Sequence, residues 1–142
     1  MTPQRFHDER GSVAVETAVI APALVALLLL VVFAGRVSHA DAVVRRAASE
    51  AARAASLEYF PDAAAKAATK SVEANLATAS MVCGELTTNV DTTDLRPGGQ
   101  VSVTVRCVAD MADVALLGVP GTRVFEATSV EVIDRFRGGE QR

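Results

Sequence analysis

Half of the 142 residues are apolar, 22% are charged, and the formal net charge is −3. That length supports one domain, the apolar share excludes a disordered chain, and the acidic balance argues against a nucleic-acid partner. Outside 17–35 the only aromatics that could support a folded core are Tyr59, Phe60, Phe125 and Phe136, so that core is expected to be modest.

Residues 1–11 are polar and charged, with Pro3 and Gly11 as breakers, and read as a leader or loose tail. Between Glu16 and Arg36 lie 19 residues without a charge, T-A-V-I-A-P-A-L-V-A-L-L-L-L-V-V-F-A-G. As an α-helix this run rises about 28 Å, close to the roughly 30 Å hydrocarbon thickness of a bilayer. Its stretch 27–33 is apolar on every side, which a half-buried soluble helix is not. Pro22 is expected in the first turns, where a missing amide hydrogen bond costs least. The reading is a transmembrane helix over 12–36. A cleaved secretory signal is the alternative, with Ser38-His39-Ala40 as the small-residue site and Asp41 as the new first residue. The length of the run and Arg36 ahead of that cut argue against it. Arg5 and Arg10 before the span, and Arg36, Arg45 and Arg46 after it, do not fix its orientation.

Helical periodicity continues past the span. Ala40, Val44, Ala47, Ala51 and Ala55 share one face, with Arg45, Arg46, Glu50 and Arg53 off it. Arg46–Glu50 and Glu50–Arg53 are spaced as ion pairs. One helix over 13–59 would be about 70 Å long, and Pro61 would end it. Asp62 is expected to cap a second helix reaching about residue 81. Composition then changes: 22 of the 26 alanines precede Met81, and the rest of the chain is rich in Val and Thr. Leu86, Thr88 and Val90 alternate, as do Val101, Val103, Val105 and Cys107, around the turn-forming D-T-T-D-L-R-P-G-G-Q. A turn at Gly118-Val119-Pro120-Gly121 leads to a third strand over 124–134, and 137–142 is read as a loose tail. The expected fold class is α+β: a long N-terminal transmembrane helix extending out of the membrane, a second helix and a three-stranded antiparallel sheet. Residues 37–142 would form the extracytoplasmic domain.

Cys83 and Cys107 are the only cysteines, the number one bridge requires. A bridge would place 37–142 in an oxidising compartment; two buried thiols are the other reading. Neither has a second Cys two to four residues away, so a zinc site is not indicated. Cys83 is out of step with Leu86, Thr88 and Val90, so either Gly84 makes a bulge or Cys83 belongs to the helix–strand junction.

No catalytic constellation is visible, and no cofactor or metal is implied. His7 lies in the charged tail, and His39 and Asp41, two residues apart, do not share a helix face. Gly98-Gly99 follows Pro97 between strand patterns and reads as a turn. Arg45-Arg46 falls short of a lipid-binding basic cluster. Glu16 stands out because a carboxylate carried into the bilayer centre costs about 3 kcal/mol. Either it ends the span at the interface, or it is kept for a partner such as the freed α-amino group of a neighbouring chain.

Arg10-Gly11-Ser12-Val13-Ala14-Val15-Glu16, leading directly into an apolar helix, resembles a type IV pilin-like leader. G-S-V-A-V-E-T-A-V-I-A-P, the span, and A-A-S-E-A-A-R-A-A together are similar to the TadE/TadG-like proteins of tight-adherence (Flp) pilus systems, over about 10–58. Thr17 stands where such leaders commonly carry an aromatic, and the chain length is nearer the TadE-like members. The resemblance implies cleavage by a prepilin peptidase after Gly11, a new N-terminus at Ser12, and Glu16 as fifth residue of the mature chain. It further implies a non-enzymatic minor pilin or pseudopilin-like component in assembly of a Tad-type pilus. Its partners would be other pilin-like subunits, the assembly machinery, the peptidase and the lipid bilayer. Its place would be the bacterial cytoplasmic membrane, single-pass with the C-terminal domain outside, or the pilus itself. The 40–55 stripe would let neighbouring helices approach closely. The alternative is a single-pass anchored binding or scaffold protein with an uncut N-terminus.

Overall fold

A computed structural model describes residues 9–110 and 121–136, with side chains from Val15 onward. Residues 1–8 of the expected leader with His7, turn residues 118–120, and the tail 137–142 lie outside the described residues. The class is α+β: helices α1 (Glu9–Ser56) and α2 (Pro61–Thr78), then strands β1 (Glu85–Asp94), β2 (Gln100–Asp110) and β3 (Thr122–Val132). Contacts divide the chain into two units, Met1–Arg36 and Val37–Arg142.

Because α1 begins at Glu9, Pro22 lies inside the helix rather than in its first turns. The ring removes the amide hydrogen that would otherwise reach the Ala18 carbonyl, so one rung of the ladder is lost mid-helix. At its other end α1 stops at Ser56, short of the expected 59. The chain tightens there, with Leu57 N–H donating to Ala54 O at 3.4 Å and Glu58 N–H to Ala55 O at 3.1 Å. Pro61 both ends the first helical run and opens the second, since a first-turn residue has no amide partner to lose. The cap of α2 is therefore Phe60, extended at φ −115° and ψ 139° with no side-chain bond. Asp62, expected as the cap, stands instead in the first turn, where its charge suits the positive end of the helix. The helix also ends earlier than expected. Ser80 turns left-handed at φ 52°, and Met81 N–H returns to Leu76 O at 3.0 Å.

The sheet is antiparallel in the order β1-β2-β3. Leu86, Thr88 and Val90 stand opposite Cys107, Val105 and Val103, while Phe125 and Ala127 stand opposite Cys107 and Val105 on the other side. Alternation along β2 buries Val101, Val103, Val105 and Cys107 completely. They form one core with Val44, Ala48, Ala51, Ala52 and Ala55 of α1 and Ala64, Ala68, Val72 and Leu76 of α2. The alanine stripe is thus buried within this chain's own unit: Ala47, Ala51 and Ala55 have no exposed surface to offer a neighbouring helix. Small residues let the helix lie close to the core, which suits a chain short of aromatics. Of the four aromatics counted toward the core, only Phe125 is buried; Tyr59, Phe60 and Phe136 are 66%, 73% and 87% exposed.

The opposite face of the sheet is polar at its centre. Thr104 and Thr128 hydroxyls share a 2.9 Å hydrogen bond, and Arg106 lies 3.8 Å from Glu85 and 3.9 Å from Glu126. In the 95–99 turn, Gly98 has φ 78°, and a Cβ on Gly99 would lie 2.1 Å from Asp94 O, so the hairpin closes only over glycine.

Candidate functional site

Gly11, Ser12 and Glu16 all belong to α1. Ser12 and Glu16 are four residues apart in this helix, about one turn. Glu16 is exposed, and past it the exposed residues are large and apolar: Val19 is 69%, Leu24 59%, Leu28 65% and Val31 62% exposed. This is the one helix among the described residues long and apolar enough to cross a membrane. A surface of that kind on a soluble helix would be a large unpartnered apolar patch. In lipid it is the matching surface, because a helix satisfies its backbone internally; within the span Pro22 offers no amide to the Ala18 carbonyl.

Past the span α1 becomes polar on its outer face. The ion pair formed there is Arg45 Nε to Asp41 Oδ2 at 2.7 Å, with both side chains largely exposed. The Arg46–Glu50 and Glu50–Arg53 pairs expected from spacing do not form among the described residues. The Asp41 hydrogen bond, and secondarily its charge, raises the Arg45 pKa. Asp41 is thereby engaged with Arg45 rather than with the exposed His39. Among the described residues no three His, Cys, Asp or Glu side chains gather as a metal site.

Cys83 and Cys107 are joined by a disulfide, with their Cα atoms 5.4 Å apart. Cys83 lies before β1, at the helix–strand junction, and Gly84 N–H already pairs with Val108 O at 2.8 Å. The junction reading of Cys83 therefore holds over the bulge. Cys107 is fully buried in the core, so the bridge ties the exit of α2 to the central strand.

The sequence reading did not foresee a small cavity of about 80 Å³ lined by Glu58, Tyr59, Leu95, Arg96, Pro97 and Ile133. It forms where the α1–α2 turn meets the β1–β2 turn, a contact between distant residues that no local pattern announces. Its only foreshadowing was the Pro97-Gly98-Gly99 turn. Asp91 is the one described carboxylate with a clearly lowered pKa. Its Oδ1 accepts the Thr93 amide at 3.0 Å and the Thr93 hydroxyl at 2.7 Å, and the amide bond is the larger cause.

Residues 11–53 match the family model for TadE-like protein. This segment is similar to TadE-like protein. The match opens at Gly11, takes in Ser12, Glu16 and the apolar span, and runs on through the buried alanine stripe. The similarity drawn over 10–58 from the sequence is met by this match. The sheet, α2 and the disulfide lie beyond the TadE-like segment. No curated protein and no solved structure matches the chain.

Proposed function

We propose that the chain is a minor pilin or pseudopilin-like component of a Tad-type pilus, without catalytic activity of its own. It is anchored by a single span in the bacterial cytoplasmic membrane, with 37–142 on the extracytoplasmic side. The observation that carries this reading is the TadE-like match that begins at Gly11 and joins Glu16 to an exposed apolar helix. The disulfide supports the outward side, since such bridges persist in oxidising compartments.

In this reading a prepilin peptidase cuts after Gly11 and frees the α-amino group of Ser12. Glu16 then stands in the first turn of the shortened helix, where the dipole favours a carboxylate. The Ser12 ammonium of an adjacent subunit neutralises Glu16 as helices gather in an apolar environment, where an unpaired carboxylate is costly. The mature span holds the subunit in the membrane before assembly. Release at Asp41 is opposed by the packing: α1 runs unbroken through 38–40, and Val37 and Ala40 rest against the core.

N-terminal sequencing and intact mass of protein recovered from its native membrane test the processing. A start at Ser12 is expected; a start at Asp41 overturns the anchored reading. The second reading, an uncut anchored scaffold, is favoured by one observation: α1 already includes Gly11 and Ser12, whereas a peptidase needs an extended segment. An intact leader would select it. Glu16→Ala is expected to insert in the membrane normally yet fail to enter assemblies, and normal incorporation would remove Glu16 from the mechanism.

A further inference from the structure

The two edges of the sheet differ. β1 carries a register irregularity between Asp91 and Asp94, and α2 packs against it. β3 pairs with β2 without interruption from Thr122↔Asp110 to Val132↔Gln100, and no strand lies beyond it among the described residues. It contains no Pro and no Lys, the usual devices that blunt an edge. Val124, Val130 and Val132 beside this edge are 47%, 52% and 69% exposed.

The charges of β3 are arranged as their own complement. Arg123 and Glu131 lie on the same face, flanking Phe125, Ala127 and Ser129. Among the described residues no carboxylate lies within ion-pair distance of Arg123, whose guanidinium stands 5.9 Å from the Phe125 ring centre. Two antiparallel β3 strands related by a two-fold axis through Ala127 would set Arg123 opposite the partner's Glu131 at both ends. The same register sets Val124 opposite the partner's Val130, Phe125 opposite the partner's Ser129, and Glu126 opposite the partner's Thr128. A shift of the axis to residue 126 would oppose two Glu126 side chains. A shift to residue 128 would set Arg123 opposite the partner's Ile133 and leave both charges uncompensated.

We propose that β3 is a pairing edge for a second copy of this chain, antiparallel and centred on Ala127, joining two three-stranded sheets into one. The axis stands normal to the sheet, so the 37–56 part of α1, which packs on that sheet, runs in opposite directions in the two copies. A single edge of this length is weak, and the high local concentration of copies held in one bilayer supports it. The proposal rests on the membrane anchor of the preceding reading and not on the pilus.

Full-length protein reconstituted in phosphatidylcholine vesicles tests it, with pairing read as energy transfer between donor-labelled and acceptor-labelled copies, both within one vesicle and between vesicles. Flotation with the vesicles reports the anchor separately, so failure to insert is distinguishable from failure to pair. Wild-type copies are expected to show transfer. Arg123→Glu alone and Glu131→Arg alone each place like charges opposite one another twice, and each is expected to reduce pairing about tenfold. Mixing donor-labelled Arg123→Glu protein with acceptor-labelled Glu131→Arg protein restores both pairs in the heterotypic contact, and transfer between the two is expected to return. Unchanged transfer by either single variant, failure of the mixture to recover, or no transfer by inserted wild-type protein overturns the proposal. Recovery in the mixture also shows that neither variant has simply misfolded.

Discussion

The two parts of α1 make the instructive contrast. Before Arg36 the helix presents Leu, Val and Ile outward, and beyond Val37 it buries alanines. Both parts are apolar, but for different solvents. Facing lipid, large side chains fill space that nothing else fills, and the stripe needs no preferred side. Facing a protein core, small side chains let a helix come close to valines already packed on a sheet. Residue size, rather than hydrophobicity alone, tells which surroundings each stretch meets.

That contrast can be broken from either side, and the disulfide is the strongest lever on the second unit. Cys83→Ser with Cys107→Ser opens a loop of 24-residue separation and is expected to lower stability by about 3.5 kcal/mol on the chain-entropy model. Thermal unfolding followed by circular dichroism should show the Tm of 37–142 falling by roughly 15 °C or more, with the helix signal of the membrane-embedded part retained.

Leu28→Asp probes the other part and is expected to weaken insertion by about 3 kcal/mol. The fraction of protein resisting alkaline extraction should fall, while amide exchange over 85–108 stays as in the parent. Ala51→Leu is a smaller change in the buried part. Overpacking a fully buried position should cost about 2 kcal/mol, read as a lower midpoint in urea. Leu28→Ala, a reduction on the lipid side, should leave that midpoint in place. If the two substitutions had the same effect, the division at Arg36 would lose its meaning.

The smallest effect concerns the last residues of β1. The folded Asp91 carboxyl holds its proton less tightly than the unfolded one. Its contribution is therefore complete above the unfolded pKa and is lost as pH falls through the lower, folded value. Thr93→Val removes the hydroxyl donor and keeps the amide, so a carboxyl NMR titration should show the Asp91 pKa rising part of the way toward the usual Asp value.

Much of this architecture was legible because its signals are local. The charge-free run, the 40–55 periodicity, the alternation of Val101 to Cys107 and the Pro-Gly-Gly turn each report on their own neighbourhood. Boundaries were less legible for the same reason. Asp62 looked like a cap, but Pro61 had the better fit to the first turn, and Phe60 was left to precede it. The stripe was visible as a face, yet its partner was not: periodicity says that a face is covered and is silent on whether the cover belongs to the same chain. Gly11, Ser12 and Glu16 could be singled out only as a spacing joined to a span, since a processing site is recognised by another protein and leaves no packing signature.

The order β1-β2-β3 follows the order of the chain, so every strand pairing is made by a neighbour in sequence. Loop closure between such neighbours costs little entropy, and sheets of this kind assemble faster than those that wait for distant segments. A chain that folds as it emerges can therefore complete each hairpin as it appears. The N-terminal span, already held in lipid, would await the second hairpin for only the time taken to deliver β3. The interval in which both edges of β2 lie open to aggregation is correspondingly short.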